Sequence, residues 1–296
     1  MEYTKPYKTF EELADLSQSR GMGGSRETLL FAMETVGYYR LSGYWHIYQK
    51  QDVFYPGTTI EKVMSLYNFD RHFRLIILNA IEHIEVYFRT QLAHKISRDY
   101  GPFGYLENAG LPRLSDGEFD AFIGHCRSCY KRSREPFALH YQKKYGESKK
   151  EKLPPLWMMV NMMDFGQVVT MYKGASVLIR QEISNEFGVS ARVLESWLLT
   201  LNTVRNICAH HGRLWNRVLG TKPAIPNKTD WRYSCLKNSD RMFCVLVIMQ
   251  YLLGKISPDS NWRNRLENLL NEYPSINRKS MGFVGDWESC PLWNPT

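Results

Sequence analysis

The sequence predicts an all-α protein, on three observations. Helix-start signals recur along the chain. Apolar residues repeat at the 3.6-residue period of a helix face. Almost no stretch shows the period of two that a half-buried strand requires. Hydrophobic residues make up 44% of the 296 positions, enough for a sizeable core in one large domain or two small ones.

The elements follow in order. Thr9-Phe-Glu-Glu12, Thr58-Thr-Ile-Glu61 and Ser115-Asp-Gly-Glu118 each match the capping box, in which a hydroxyl and a carboxylate satisfy unpaired helix N–H groups. Glu27 to Val36 reads as a helix stopped at Gly37. Thr59 to Asp99 reads as one long helix with a bend, ended by Gly101-Pro102. Further helices are expected over Phe119 to Tyr130, Leu156 to Met163, Ala191 to His210, Arg241 to Leu253 and Trp262 to Leu270. The most apolar run, Phe243 to Leu253, is about half the length of a membrane span and reads as a buried helix.

The formal charge is +8, which favours acidic partners: nucleic acid first, an anionic membrane surface second. The N-terminal residues lack the apolar core of a secretory signal, and six cysteines are too few for a disulfide framework. These features predict a soluble, cytoplasmic protein with reduced thiols and no membrane partner. One segment, 127–152, carries nine Lys/Arg against three Glu, interleaved with Tyr130, Phe137, Tyr141 and Tyr145. Within it Lys131, Arg132, Arg134, Lys143 and Lys144 suit phosphate contacts beside stacking aromatics. A solvated helix and loop is the equal alternative. The pair Cys126-x2-Cys129 beside His125 lacks a second such pair for zinc. No P-loop, dinucleotide fingerprint or nucleophile elbow is found, and neither metal nor cofactor is expected.

The stretch RNICAHHGRLWNR, 205–217, is the most informative. On a helix continued from Ala191, Leu194, Leu198, Leu201 and Cys208 share an apolar face with Trp197 and Val204 beside it. Arg205 falls in that face, where an isolated charge must be paired or must serve a site. Asn202, Asn206, His210, Arg213 and Arg217 form a polar stripe. His210 is then the available imidazole, and His211 lies nearer the apolar side unless Gly212 ends the helix. In the long helix, Asp70, Arg71, Arg74, Glu82, His83, Glu85 and Arg89 interrupt the apolar run. Glu85 and Arg89 can pair at i,i+4, and Glu82 or Glu85 is the expected partner of Arg205. The aromatics of VGYYRLSGYW (36–45) either pack the N-terminal helices or, with Arg40, contact RNA.

Arg205-Asn206 followed by His210 matches the R-x4-H pattern of HEPN ribonucleases. The longer string resembles the signature of the Abi family of bacterial abortive-infection proteins (the AbiD/AbiF type). KPYKTFEELADLSQSRGM, VGYYRLSGYW, LYNFDRHFRLIILNAIEHIEVYFRTQLAH and PLWMMVNMMDFGQVVTMY fall in that family's order and spacing. The resemblance covers the chain up to Arg217. It implies a HEPN-type helical bundle over 58–256 with a basic insertion at 110–153. An N-terminal helical segment (1–57) precedes it, and a C-terminal helix and tail (257–296) follow.

The resemblance also implies metal-independent RNA cleavage in antiphage defence, with His210 as acid or base and His211 in reserve. Arg205 would stabilise phosphate charge and Asn206 would orient the reacting groups. Glu82, Glu85 and Arg89 would support the site, and Arg213, Arg217 and Arg40 would join the basic segment in holding RNA. Since one Arg and one His are a thin catalytic set, the implied state is a homodimer, toxin-like and restrained by an RNA or protein antitoxin until a phage trigger releases it. Two alternatives stand beside it: a non-catalytic protein that binds a structured small RNA, and an oligomeric scaffold that recognises a phage protein.

Overall fold

The computed structural model describes residues 2, 4, 6–145, 153–228, 231, 236 and 238–294. Twelve α-helices are present among them, with one two-residue hairpin, β1 (Gln49–Lys50) and β2 (Val53–Phe54), as the only sheet. The all-α expectation is met. The helices are α1 (Phe10–Ser19), α2 (Arg26–Thr35), α3 (Tyr38–Trp45), α4 (Ile60–Tyr100), α5 (Asp116–Arg132) and α6 (Pro136–Tyr145). After them come α7 (Leu156–Met159), α8 (Phe165–Gly174), α9 (Val177–Glu186), α10 (Ala191–Ala209), α11 (Met242–Ile256) and α12 (Trp262–Glu272).

α4 is the axis of the molecule. Its 41 residues span about 60 Å at the standard rise. Thr59 caps its start by accepting the Lys62 N–H at 3.4 Å, and Gly101, at φ 77°, turns the chain out before Pro102. Phe69, Phe73, Ile77, Ile84, Phe88 and Leu92 recur at helical spacing and are fully buried. Around them pack α2, α3 and α7 to α12. The apolar run in 243–253 is the buried helix expected, with Met242 to Met249 all inside the core. Its neighbour α12 is pinned to the axis by the Trp262 indole N–H, which donates to the Ile76 carbonyl at 2.8 Å. No helix among the described residues is long and apolar enough to cross a membrane.

Two sequence expectations are corrected, and α3, α8 and α9 are helices that the sequence reading did not assign. The capping box read at Thr58–Glu61 does not form: Thr59 is the cap, so Glu61 is one residue short of the reciprocal position. Its carboxylate instead accepts the Ser25 N–H at 3.2 Å and ties the start of α2 to α4. The helix expected to reach Met163 ends at Met159, because Asp164 opens α8 with its own box: it accepts the Gln167 N–H, and Gln167 accepts the Asp164 N–H. Residues 38–45, given no secondary structure from sequence, form α3, which starts directly after Gly37 at φ 90°. The boxes at Thr9 and Ser115 form as read.

Candidate functional site

α10 carries the stretch that the sequence singled out. Its apolar face, Leu194, Trp197, Leu198, Leu201, Val204 and Cys208, is buried against α4 and α8. Burial pushes the Cys208 thiol up to about 12, with the nearby Asp70 carboxylate adding to the shift.

The helix ends at Ala209, with His210 as its C-cap. His211 sits in the left-handed region at φ 57°. The Gly212 N–H reaches back to the Ile207 carbonyl at 2.8 Å and the His211 N–H to Cys208 at 3.0 Å. This is the paired-bond Schellman stop, with histidine where glycine usually stands. Gly212 follows because a Cβ there would meet the Ile207 side chain and carbonyl at 3.1 and 3.2 Å. The stop removes 211–217 from the helical wheel. His211 therefore does not turn toward the apolar side as the wheel had it: both imidazoles are exposed. Arg213 and Arg217 likewise leave the stripe of Asn202 and Asn206.

A carboxylate in α4 fixes the turn. Asp70, wholly buried, accepts the Trp215 N–H at 2.7 Å and the Leu214 N–H at 3.2 Å. It also accepts the Tyr44 hydroxyl at 2.7 Å and pairs with the buried Arg74 one turn along α4. Burial pushes its carboxyl up from the ordinary value, while Arg74, Tyr44 and the two backbone N–H groups pull it down. Arg74 reaches the Gly212 carbonyl at 3.4 Å as well. From α3, the Arg40 guanidinium donates to the His211 carbonyl at 2.7 Å. Arg213 answers in the other direction: its Nη1 donates to the Gly43 carbonyl and lies 3.0 Å from His46 Nδ1. Tyr44 and Trp45 pack inward, while Tyr39 and Arg40 remain exposed.

Asp70, Arg74, Tyr44 and His46 are the residues that sequence reasoning left unassigned. The usable signal was an Asp–Arg pair at i,i+4 on the apolar face of α4, where a charge has to be matched.

Arg205 is half-buried and, among the described residues, its guanidinium donates to the Asn206 side-chain carbonyl at 3.4 Å and forms no ion pair. It lines a groove of about 530 Å³ with Glu82, Glu85, Arg89, Leu75 and Val86. Glu82 and Glu85 thus share its groove, but the ion pair of Glu85 is with Arg89. Burial pushes the Glu85 carboxyl up, and Arg89 and then Arg205 oppose that shift. His210 and His211 line a different hollow, between the N-terminal residues, α3 and the turn. Arg205 and His210 are five residue steps apart, which on helical geometry turns the two side chains about 140° apart. One chain therefore presents the two groups to different hollows.

The remaining residues predicted to hold RNA lie elsewhere. Lys131, Arg132, Arg134, Lys143 and Lys144 are exposed on α5 and α6 and the link between them, without ion pairs among the described residues. Of the interleaved aromatics only Tyr145 is exposed; Tyr141 is buried and packs against it with the rings tilted by 40° and their centroids 4.9 Å apart. Lys149, Lys150 and Lys152 lie outside the described residues. Cys126 and Cys129 both contact the Gln167 amide, and His125 pairs with Asp164 at 3.2 Å, so these groups join α5 to α8. No cluster of metal-ligating side chains occurs among the described residues.

No curated protein and no solved structure matches the chain. The family model described as Abi-like protein matches residues 32–216, a span that runs from α2 through α3, α4 and α10 to the turn. By that match over more than half its length, the chain belongs to the Abi-like protein family.

Proposed function

We propose that the protein is an endoribonuclease of abortive-infection defence that cuts RNA without a metal ion. The observation that carries this reading is the pair of exposed imidazoles, His210 and His211, on an anchored turn in a hollow lined by Lys8, Arg40 and Arg213 and by no acidic residue among those described. Arg40, Arg205, Arg213 and Arg217 take part in none of the ion pairs among the described residues.

The reaction is an internal displacement. The RNA 2′-oxygen attacks the adjacent phosphorus, the bond to the 5′-oxygen breaks, and the products are a 2′,3′-cyclic phosphate and a 5′-hydroxyl. One imidazole takes the 2′-hydroxyl proton and a second gives a proton to the leaving oxygen, work that suits histidine near neutral pH. Arg205 stabilises charge on the phosphate oxygens through its fork of donors, and Asn206 orients that fork. Lys131, Arg132, Arg134, Lys143, Lys144 and Arg217 hold the RNA outside the reacting centre.

A homodimer completes the site in this reading. Arg205 and His210 diverge within one chain, so a second copy supplies the missing group. Leu75 and Val86, both more than half exposed, line the Arg205 groove and suit a partner helix. A neutralising RNA or protein restrains the enzyme. The divergence of Arg205 and His210 also favours a second reading, a non-catalytic RNA-binding sensor.

Purified protein incubated with RNA in EDTA separates the two. The nuclease reading predicts cyclic-phosphate ends that vanish with Arg205→Ala and with His210→Ala. Salt-dependent binding with no such ends supports the sensor.

A further inference from the structure

The N-terminal arm, residues 7–13, lies upstream of the span that the family model matches, yet it walls the hollow that contains His210. This hollow measures about 750 Å³, room for a nucleotide. Lys8, Arg40 and Arg213 line it, and none of the described residues lining it is acidic. Two rings stand at its rim: Tyr7 is 89% exposed and Tyr39 is 77% exposed.

The two arginines are already oriented. Arg40 is fixed by the His211 carbonyl and Arg213 by the Gly43 carbonyl and His46, so each guanidinium is held by part of its fork. An arginine carries five N–H donors, and the rest of each fork has no protein partner among the described residues. Burial pushes the Arg213 guanidinium down from its ordinary value, with Arg217 adding to the shift and Asp70 opposing it. Asp70 is occupied by four other donors. Fixed cations in a lining with no acidic residue among those described, beside exposed aromatic rings, fit a phosphate with its base stacked alongside.

We infer that the hollow between the N-terminal arm, α3 and the histidine turn is a nucleotide subsite for single-stranded RNA. Arg40 and Arg213 grip one phosphate, Lys8 adds charge, and Tyr7 or Tyr39 stacks the base. This rests on the reading of the protein as an RNA enzyme and adds where the strand enters. The gripped phosphate neighbours the one presented to His210, so the arm contributes to which base is accepted beside the cut.

The test measures binding of a labelled single-stranded RNA of mixed sequence to the full chain carrying His210→Ala, so that cleavage does not enter. Arg40→Gln keeps an amide donor for the His211 carbonyl and removes the charge. Lys8→Gln and Tyr7→Ala alter only the exposed arm. Arg40→Gln with Lys8→Gln should weaken binding about ten-fold or more and lower the salt slope by about 0.7 for each lost phosphate contact. Tyr7→Ala with Tyr39→Ala should weaken binding by a similar factor with the slope unchanged. Binding within about two-fold of the parent for all of these, or lost instead with Lys131→Gln and Arg132→Gln, overturns the subsite. Competition by AMP as strong as that by unlabelled RNA overturns the strand assignment in favour of a free nucleotide. The cleavage reading fails on different data, namely wild-type RNA ends identical to those left by His210→Ala.

Discussion

The Asp70 carboxylate in α4 accepts the backbone N–H of Trp215 at 2.7 Å, across 145 residues of chain. The histidine turn is therefore anchored to the 41-residue helix α4 as well as by its own Schellman bonds. A buried carboxylate bonded to a guanidinium, a phenol and two amides fixes the turn's position as tightly as a core side chain would.

Asp70→Asn should consequently be far more costly than a surface change. It leaves the buried Arg74 guanidinium without a counter-charge, which predicts a loss of about 3–5 kcal/mol. Urea denaturation followed by circular dichroism measures it. A loss no larger than that of Glu82→Gln would mean that Asp70 does not anchor the turn.

The left-handed backbone at His211 gives a second prediction. A β-branched residue tolerates that conformation poorly, so His211→Val should cost about 1–2 kcal/mol more than His210→Val. His211→Gly should fold at least as well as the parent. Equal midpoints for the two valine variants would contradict the Schellman geometry.

Cys208 lies within the signature stretch but not within its chemistry. With its thiol pushed up to about 12 by burial and by Asp70, it should resist iodoacetamide at neutral pH until the chain is unfolded. Mass spectrometry of native protein showing Cys208 alkylated as fast as a small-molecule thiol would refute this placement.

Glu118 gives the pH test. Its bond to Lys173, and then the bonds from Ser115, hold its carboxyl down to about 2 from 4.5. A depressed carboxyl contributes stability that is present above the ordinary value and is lost as pH falls through the depressed one. The stability gap between parent and Glu118→Gln should be constant at neutral pH and close between about pH 4.5 and 2. A gap that persists at the acid end would remove the α5–α8 tie from the account.

Much of the fold was legible because its signals are local. The capping residues Thr9 and Ser115, the Gly101-Pro102 stop and the period of Phe69, Phe73 and Ile77 act within a few residues of themselves. The apolar face of α10 was legible for the same reason. The histidine turn was not, because His211 in a left-handed conformation and Asp70 as its anchor are tertiary facts. The wheel placed His210 on the surface correctly and misplaced His211 only because the helix stops one residue before His210. Short α3 has no side-chain cap to announce it, while α8 and α9 were missed despite the caps at Asp164 and Ser176. The partner of Glu85 was readable as Arg89 from i,i+4 spacing, whereas the setting of Arg205 depended on how α4 and α10 meet.

In the proposed dimer, Arg205 of one copy and His210 of the other act on one phosphate. Mixing purified Arg205→Ala with purified His210→Ala, after a denaturation and refolding step that exchanges subunits, tests it most directly. Each variant alone should be inactive. The mixture should regain RNA cleavage with 2′,3′-cyclic phosphate ends, because one site of the mixed pair keeps both groups. A mixture that exchanges subunits and stays inactive, while the parent cleaves, would contradict the shared site.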